Sequence, residues 1–551
     1  MRLLILAAAL AASTLPPRLA GAQHVLGAGQ DATTPRRGVL RTTVSGENVL
    51  LRGRWADGAA QELGAGLSVP LGPNNVIALG ALNGLVGGLV STNLTPSLGS
   101  TKVDLRQRLA FTRLGFEYGV TDRLALRVQA PFVRARTEAL LRLNPEGATA
   151  GLNPTLTGSG VAVGNRAVVD AYQNAVASLT SRRDACAGDP GAFPECATIN
   201  AEAALVDAAI QRGAQFATAL TNIYGADGLG EGQRYVPIAG SGLEALFVGI
   251  GDGLRTDFTR WGVNDVTAST GLPLGAQTPV TAGELARLLA AEEGDGFAAR
   301  PLTRAARQDL GDVDVGLTLT LFDAYPSDSA RRAISGLGFR QSVAVTYRLG
   351  GGNFDLPDNL IDLGTGSGHD AIALHSYTDV LLNDRFWATV TVAWALGAAH
   401  ERVLRIPTRQ GDDLIPVQRQ LPVRITPASM LELRLAPRYR LNDYFTFGGE
   451  WRFRTRGEDE VRAIGSSLVA PAGLTVPSGD GAMQTPSNSN EHRWAWHVVY
   501  TTLGAESRGR ARLPLELVYT HEQSVGSTRG IVPRRWEDRV ALRFYTRLFG
   551  R

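Results

Sequence analysis

The sequence predicts an all-β chain, an antiparallel transmembrane β-barrel of about 12 strands with a large, partly helical extracellular insert. Three observations predict it. The chain opens with an export leader and then contains no run able to cross a bilayer as a helix. Long segments alternate apolar and polar residues with period two. The connections between those segments alternate between short ones and mostly long ones.

Residues 1–22 read as a secretory signal peptide: Arg2, an apolar run from Leu3 to Leu15, and Ala20-Gly21-Ala22 before Gln23. That run is too short for a membrane helix, which needs about 20 residues. No cysteine follows the cleavage site, which excludes a lipoprotein. The mature barrel chain is then 23–551. Only 19% of the residues are charged, against about 25% in ordinary globular proteins. A net charge of +3 carries no polybasic signature, so nucleic acid is not an expected partner. Lys102 is the one lysine among 55 basic residues, so the abundance of arginine reflects a chain-wide bias and not selection for anions. Two cysteines are too few for a zinc ribbon or an iron–sulfur cluster. Cys186 and Cys196 bracket a Gly- and Pro-containing loop and are expected to form a disulfide in an oxidising compartment.

The period-two segments define the strands. In 431–441 the odd positions carry Leu431, Leu433, Leu435, Pro437, Tyr439 and Leu441, with Glu432, Arg434, Arg438 and Arg440 between them. In 445–455 Phe445, Phe447, Trp451 and Phe453 share one face, with Glu450, Arg452 and Arg454 on the other. Such alternation marks a strand with two unlike faces. Soluble sandwich strands usually run about five or six residues, whereas a tilted membrane strand needs about 9–11. These segments hold phase for the longer span. Twelve follow: 36–56, 101–121, 122–143, 309–325, 333–350, 367–383, 385–405, 421–441, 444–462, 490–507, 510–525 and 532–549. Connections after the even-numbered strands are short and those after the odd-numbered ones mostly long, the asymmetry of an outer-membrane barrel with both termini periplasmic.

Three short turns share a pattern: Val120-Thr121-Asp122-Arg123-Leu124, Leu382-Asn383-Asp384-Arg385-Phe386 and Leu441-Asn442-Asp443-Tyr444-Phe445. Pairing across the last places Tyr439 opposite Phe447 and Leu435 opposite Trp451. It places Arg434 opposite Arg452 and Glu432 opposite Arg454 on the inner face. A one-residue slip would mix the faces, so the register is well determined. The third turn position is the weak point, because it often takes a left-handed backbone that Arg or Tyr suits poorly.

The stretch Phe116-Glu117-Tyr118-Gly119-Val120-Thr121-Asp122-Arg123-Leu124, running on to Ala130-Pro131-Phe132, resembles the EYG-(L/V)-TDRL … P-(F/Y) hairpin of outer-membrane channels grouped with the phenol-degradation MetA-pathway proteins. Leu363-Gly364-Thr365-Gly366-Ser367-Gly368-His369-Asp370 is similar to their GTG-x-D segment before a strand. The resemblance implies a passive outer-membrane pore for small solutes, with hydrophobic or aromatic compounds as the class. Two features depart from it: the size of segment 144–308 and the ending Leu548-Phe549-Gly550-Arg551, where barrel assembly expects a terminal aromatic residue.

Segment 144–308 abandons period two. Its Ala-rich stretches 167–180 and 200–224 read as helices, and Thr281-Ala282-Gly283-Glu284 reads as a capping box. Placed after the third strand, this insert is expected outside the cell as a cap, a plug or a small domain.

The expected inner wall includes Glu117, Arg127, Arg340, Glu432, Arg434, Arg438, Glu450, Arg452 and Arg454. Opposed acids and bases polarise a lumen and suit small polar or amphipathic solutes; the same pairs would also stiffen a barrel wall. The other expected partner is outer-membrane lipid. No catalytic set, metal site or cofactor is expected. The Gly-rich 364–370 run lacks the Gly-Lys-Ser/Thr of a phosphate loop and precedes a strand. His369 and His375 lie too far apart along a strand to share a metal, and Asp355, Asp358, Asp362 and Asp370 form an acidic outer loop with conceivable calcium affinity. Two other function classes stay open: an outer-membrane lipid hydrolase, for which no Gly-x-Ser-x-Gly is present, and a surface receptor or adhesin using the insert.

Overall fold

A computed structural model describes residues 32–90, 93–292, 296–324, 337–407, 413–464, 482–484, 487–503 and 514–548. The expected signal peptide, the turn at 326–332 and the last three residues lie outside the described residues. Twelve antiparallel strands close into a barrel: β1 (Val39–Ala56), β2 (Ser100–Gly119), β3 (Leu124–Asn144), β4 (Val313–Asp323), β5 (Gly338–Leu349), β6 (Ala371–Leu381), β7 (Phe386–Gly397), β8 (Met430–Arg440), β9 (Phe445–Arg456), β10 (Ser489–Thr501), β11 (Leu515–Gly526) and β12 (Ile531–Arg547). Each pairs with its sequence neighbours, and β1 pairs with both β2 and β12, which removes the sheet edges. Full closure is what allows strands to cross lipid, because no backbone group is left unpaired.

The expected register holds residue for residue. Tyr439 lies opposite Phe447, Leu435 opposite Trp451, Arg434 opposite Arg452 and Glu432 opposite Arg454. The faces follow: Leu431, Leu435, Tyr439 and Phe447 are exposed on the outside, while Glu432, Arg434, Arg438 and Arg452 are buried within. The short turns do not need a left-handed residue. Asn442 Oδ1 accepts the N–H groups of Tyr444 and Phe445, both at 2.9 Å, and Asn383 Oδ1 accepts those of Arg385 and Phe386. Thr121 Oγ1 does the same for Arg123 and Leu124. The side-chain acceptor closes each turn, so Arg or Tyr is tolerated at the third position.

Several expected strands are interrupted. Segments 385–405, 421–441 and 444–462 each divide in two, and their far pieces (His400–Arg405, Gln420–Thr426 and Glu460–Ala463) join Ala482–Gln484 in a separate four-stranded sheet above the barrel. The breaks fall at 398–399, just after Gly397, and at Pro427 and Gly457. Pro427 has no N–H for a ladder, and a Cβ at Gly397 would come within 2.9 Å of both Pro427 and His369. The expected strand 309–325 is interrupted before β4, and a separate strand, Arg304–Leu310, which starts within the expected insert, pairs with the outer half of β3. β10 stops at Thr501, short of the expected bound at 507, and residues 504–513 before β11 lie outside the described residues.

The long connections build one folded body beyond the barrel. Segment 145–303 carries α2 (Ser159–Gly188), α3 (Cys196–Ala201), α4 (Ala203–Tyr224), α5 (Gly242–Arg260) and α6 (Ala282–Ala290); α1 (Ile77–Leu89) comes from the loop after β1. Leu79, Leu82 and Val86 of α1 share a core with Tyr172, Phe216, Phe247 and Phe258 of the insert. A Cβ at Gly213 would meet Val176 and Phe258 at under 3 Å, so glycine permits the close crossing of these helices. Thr281 and Glu284 form the expected capping box. Cys186 and Cys196 are bonded, with Cα atoms 5.0 Å apart, tying the end of α2 to α3.

Candidate functional site

The pleat of each strand aims alternate side chains inward, and on one half of the barrel many of them are charged. Glu432 (0% exposed) sits between two arginines: Arg434 forks onto Oε1, and Arg454 donates Nε and Nη2 to Oε2 at 3.0 and 2.9 Å. Arg452 bonds Glu450 and Glu522, both at 2.9 Å. Glu522 also takes Arg493 at 2.9 Å, and Arg493 pairs with Glu491. Four arginines and four glutamates thus form a continuous belt across β8, β9, β10 and β11. Planar guanidinium groups suit such a belt because each offers five fixed donors to several carboxylates.

The same face carries smaller clusters. Arg113 pairs with Glu47 at 2.8 Å, and Arg41 with Glu117. Arg127 lies opposite Glu117 and donates to Gln129. Arg340 reaches Asp323 at 3.1 Å and Asp379 at 3.3 Å. Arg438 is buried on the inner face opposite Gly448, beside His497. Of the nine residues expected on the inner wall, eight are buried and Arg127 is half-buried, and they do not form one constellation: Glu117, Arg127 and Arg340 lie on β2, β3 and β5, away from the belt. Glu491, Arg493, Glu522, Glu47 and Arg113 are further members that the sequence reading did not single out. They occupy the same alternating phase, which was the signal available.

Across from the belt the inner wall carries separate ion pairs, such as Arg348 with Asp314 at 2.8 Å, among uncharged polar side chains. Thr320, Ser342, Thr346, His375 and Thr389 are all buried there. The chain before β1 lies against this wall. Ala32 N–H reaches Asp379, Ser342 Oγ donates to the Ala32 carbonyl at 2.6 Å, and Thr34 bonds Thr320. Residues 32–38 therefore run from the start of β1 to β4, β5 and β6 inside the short-turn end. Gly119 permits the crossing, since a Cβ there would lie 2.1 Å from the Arg36 carbonyl oxygen.

The other motifs resolve into local structure. The Gly-rich segment wraps a carboxylate of the chain itself: buried Asp312 accepts N–H groups from Gly352 at 3.0 Å and Ser367 at 2.8 Å, plus the Ser367 hydroxyl. A Cβ at Gly366 would collide with Asp312, so the glycines make room for this internal anion. The four loop aspartates have separate partners: Asp355 with Arg402, Asp358 with Arg300, Asp362 with Arg307, and Asp370 with Tyr347 and the Gly350 N–H. No group of three or more metal-ligating side chains occurs among the described residues. His369 stacks on His400 with ring centroids 4.5 Å apart, and burial lowers the proton affinity of both, that of His400 to about 4.

No family model and no curated protein matches the chain. Among solved structures it is similar to an outer membrane channel from Pseudomonas putida F1, at 9% identity, covering 95% of this chain and 100% of that one with a TM-score of 0.39. It is also similar to the Pseudomonas putida toluene transporter TodX (10% identity, 93% and 89% covered, TM-score 0.23). A third likeness is the transport unit of the Escherichia coli autotransporter AIDA-I (6% identity, 92% and 91% covered, TM-score 0.27). Likenesses this distant concern fold alone and assign no role to any residue. What the strand pairing itself establishes is a closed, twelve-stranded barrel of the outer-membrane type.

Proposed function

We propose that this protein is an outer-membrane channel for passive passage of small solutes, with the folded loop body outside the cell and both termini in the periplasm. The observation that carries the proposal is the pair of opposite faces on one closed wall. Leucine, tryptophan, tyrosine and phenylalanine line the outside, while arginine, glutamate, threonine and serine line the inside. A polar interior inside an apolar cylinder holds water within lipid, and that is the requirement for a conduit. The belt is electrically balanced, which favours small neutral or weakly charged solutes. Hydrophobic or aromatic compounds are the class implied by the resemblance of the 116–132 hairpin. The orientation rests on connection length, since the long segments all leave one end of the barrel and the turns 120–123, 382–385 and 441–444 leave the other.

The test is the purified protein in planar lipid bilayers, with solute entry into proteoliposomes as the second readout. Discrete conductance steps and size-limited solute uptake are expected. Folded barrels that give neither would overturn the proposal. A second reading, surface reception, is favoured by one observation: the loop body has its own aromatic core and disulfide. Loss of ligand or cell binding on removal of 150–300, with conductance intact, would separate the two.

A further inference from the structure

Above the barrel, the separate sheet and the loop between β5 and β6 enclose a groove of about 80 Å³, open to solvent. Its floor is apolar: Leu404, Ile406, Ile425 and Val461 from the sheet side, with Leu356 and Leu360 from the loop. The charged groups around it are almost all committed elsewhere. Asp459 is held by Arg456 at 2.6 Å and by the Ala428 N–H. Asp362 is paired with Arg307 and Asp413 with Arg54, each at 3.3 Å. Arg405 donates to the carbonyl oxygens of Pro357, Ile415 and Ala298.

One pair is different. Asp355 and Arg402 both line the groove, and their closest charged atoms stand 3.7 Å apart, beyond hydrogen-bond distance. Asp355 Oδ1 and Arg402 Nε are each buried with no hydrogen-bond partner. The Phe354 ring lies 5.7 Å from the Arg402 guanidinium. A buried acceptor and a buried donor left side by side are costly, by about 1–3 kcal/mol each, and call for an occupant that satisfies both. A hydroxyl group does so, since it donates one hydrogen bond and accepts others.

We propose that this groove is a binding site for a small amphiphile with an apolar body and a hydroxyl head, the head seated between Asp355 and Arg402 and the body on the Leu404–Ile425–Val461 floor. Burial pushes the Asp355 carboxyl up to about 6 despite Arg402, which keeps it a willing hydrogen-bond partner for a neutral head. The site lies outside the lumen, so it stands whether or not the barrel conducts.

The probe is 4-bromobenzyl alcohol. Crystals of the full chain soaked in it should show a bromine anomalous peak over the apolar floor, with the hydroxyl within hydrogen-bond reach of Asp355 and Arg402. In lipid nanodiscs, 4-fluorobenzyl alcohol observed by fluorine NMR should show saturable binding, weakened at least tenfold by Leu356→Trp, which fills the groove. The double variant Asp355→Leu/Arg402→Leu should weaken it similarly. Partitioning into lipid is the same for every variant and cancels. Bilayer conductance should be the same in wild type and variants, which reports that the barrel is folded. A groove holding only water, or binding unchanged in both variants, would overturn the proposal. A silent channel with intact binding would sink the channel reading and leave this one standing.

Discussion

Replacing Glu432 by glutamine tests whether the belt is a tightly packed ionic network or a set of separately hydrated charges. Glu432 receives two guanidinium forks, from Arg434 on one oxygen and from Arg454 on the other, and Arg452 lies 4.0 Å away. Hydrogen bonds to charged groups contribute about 1.5–3 kcal/mol each. An amide keeps one acceptor, so roughly one fork survives. The remaining carboxylates stand farther off, Glu450 at 4.0 Å from Arg434 and Glu491 at 4.0 Å from Arg454, and offset only part of the loss. Removing one partner from a buried network leaves uncompensated charge and costs about 3–5 kcal/mol. That is the loss expected for Glu432→Gln, read as urea unfolding in lipid vesicles by tryptophan fluorescence. Adding Arg454→Met removes the orphaned charge, so the double variant should recover about half of it. A loss under about 1 kcal/mol, with no coupling between the two sites, would mean that lumen water solvates each charge separately. The belt would then not be one packed network.

The same substitution leaves the belt with one net positive charge, so Glu432→Gln should move the reversal potential in a salt gradient toward anions, while Arg434→Gln moves it toward cations. Opening the disulfide with Cys186→Ser should cost about 2–3 kcal/mol within the helical body, by loop-closure arithmetic. Protease should then cut 189–202 faster while the barrel's migration on unheated gels is unchanged. Asp355 has a higher proton affinity in the folded state than a free aspartate, whose ordinary value is 3.8. The folded form therefore binds the proton more readily between about pH 4 and 6, and local stability falls as pH rises through that window. Protection factors in 353–363, with the intrinsic pH dependence of amide exchange divided out, should be higher at pH 4.5 than at pH 7 in wild type, and nearly level in Asp355→Asn. Gly366→Ala should speed exchange in the same loop by forcing it off Asp312; unchanged protection would contradict the cradle described for that carboxylate.

Local alternation made the barrel legible. A strand has a side-chain period of two, so the order Glu432, Leu433, Arg434, Leu435 states which residue meets lipid and which its neighbour strand must match. The register of β8 on β9 followed from that and from a three-residue turn, with no knowledge of distant chain. The inward charges were readable for the same reason. The linkage of Arg452 to Glu522, 70 residues away, was not, because it depends on β10 separating the two strands in space. The loop body was legible only as helices and a disulfide. That α1 from the loop after β1 completes the core of segment 145–303 is a long-range packing choice, and apolar helix faces do not name their partners. Gly397, Pro427 and Gly457, beside or at the strand breaks, were visible as residues but not as breaks, since glycine and proline are tolerated in edge positions too. Only the folded chain set the far strand pieces aside as their own sheet, brought the Asp355 loop against them, and left a groove between.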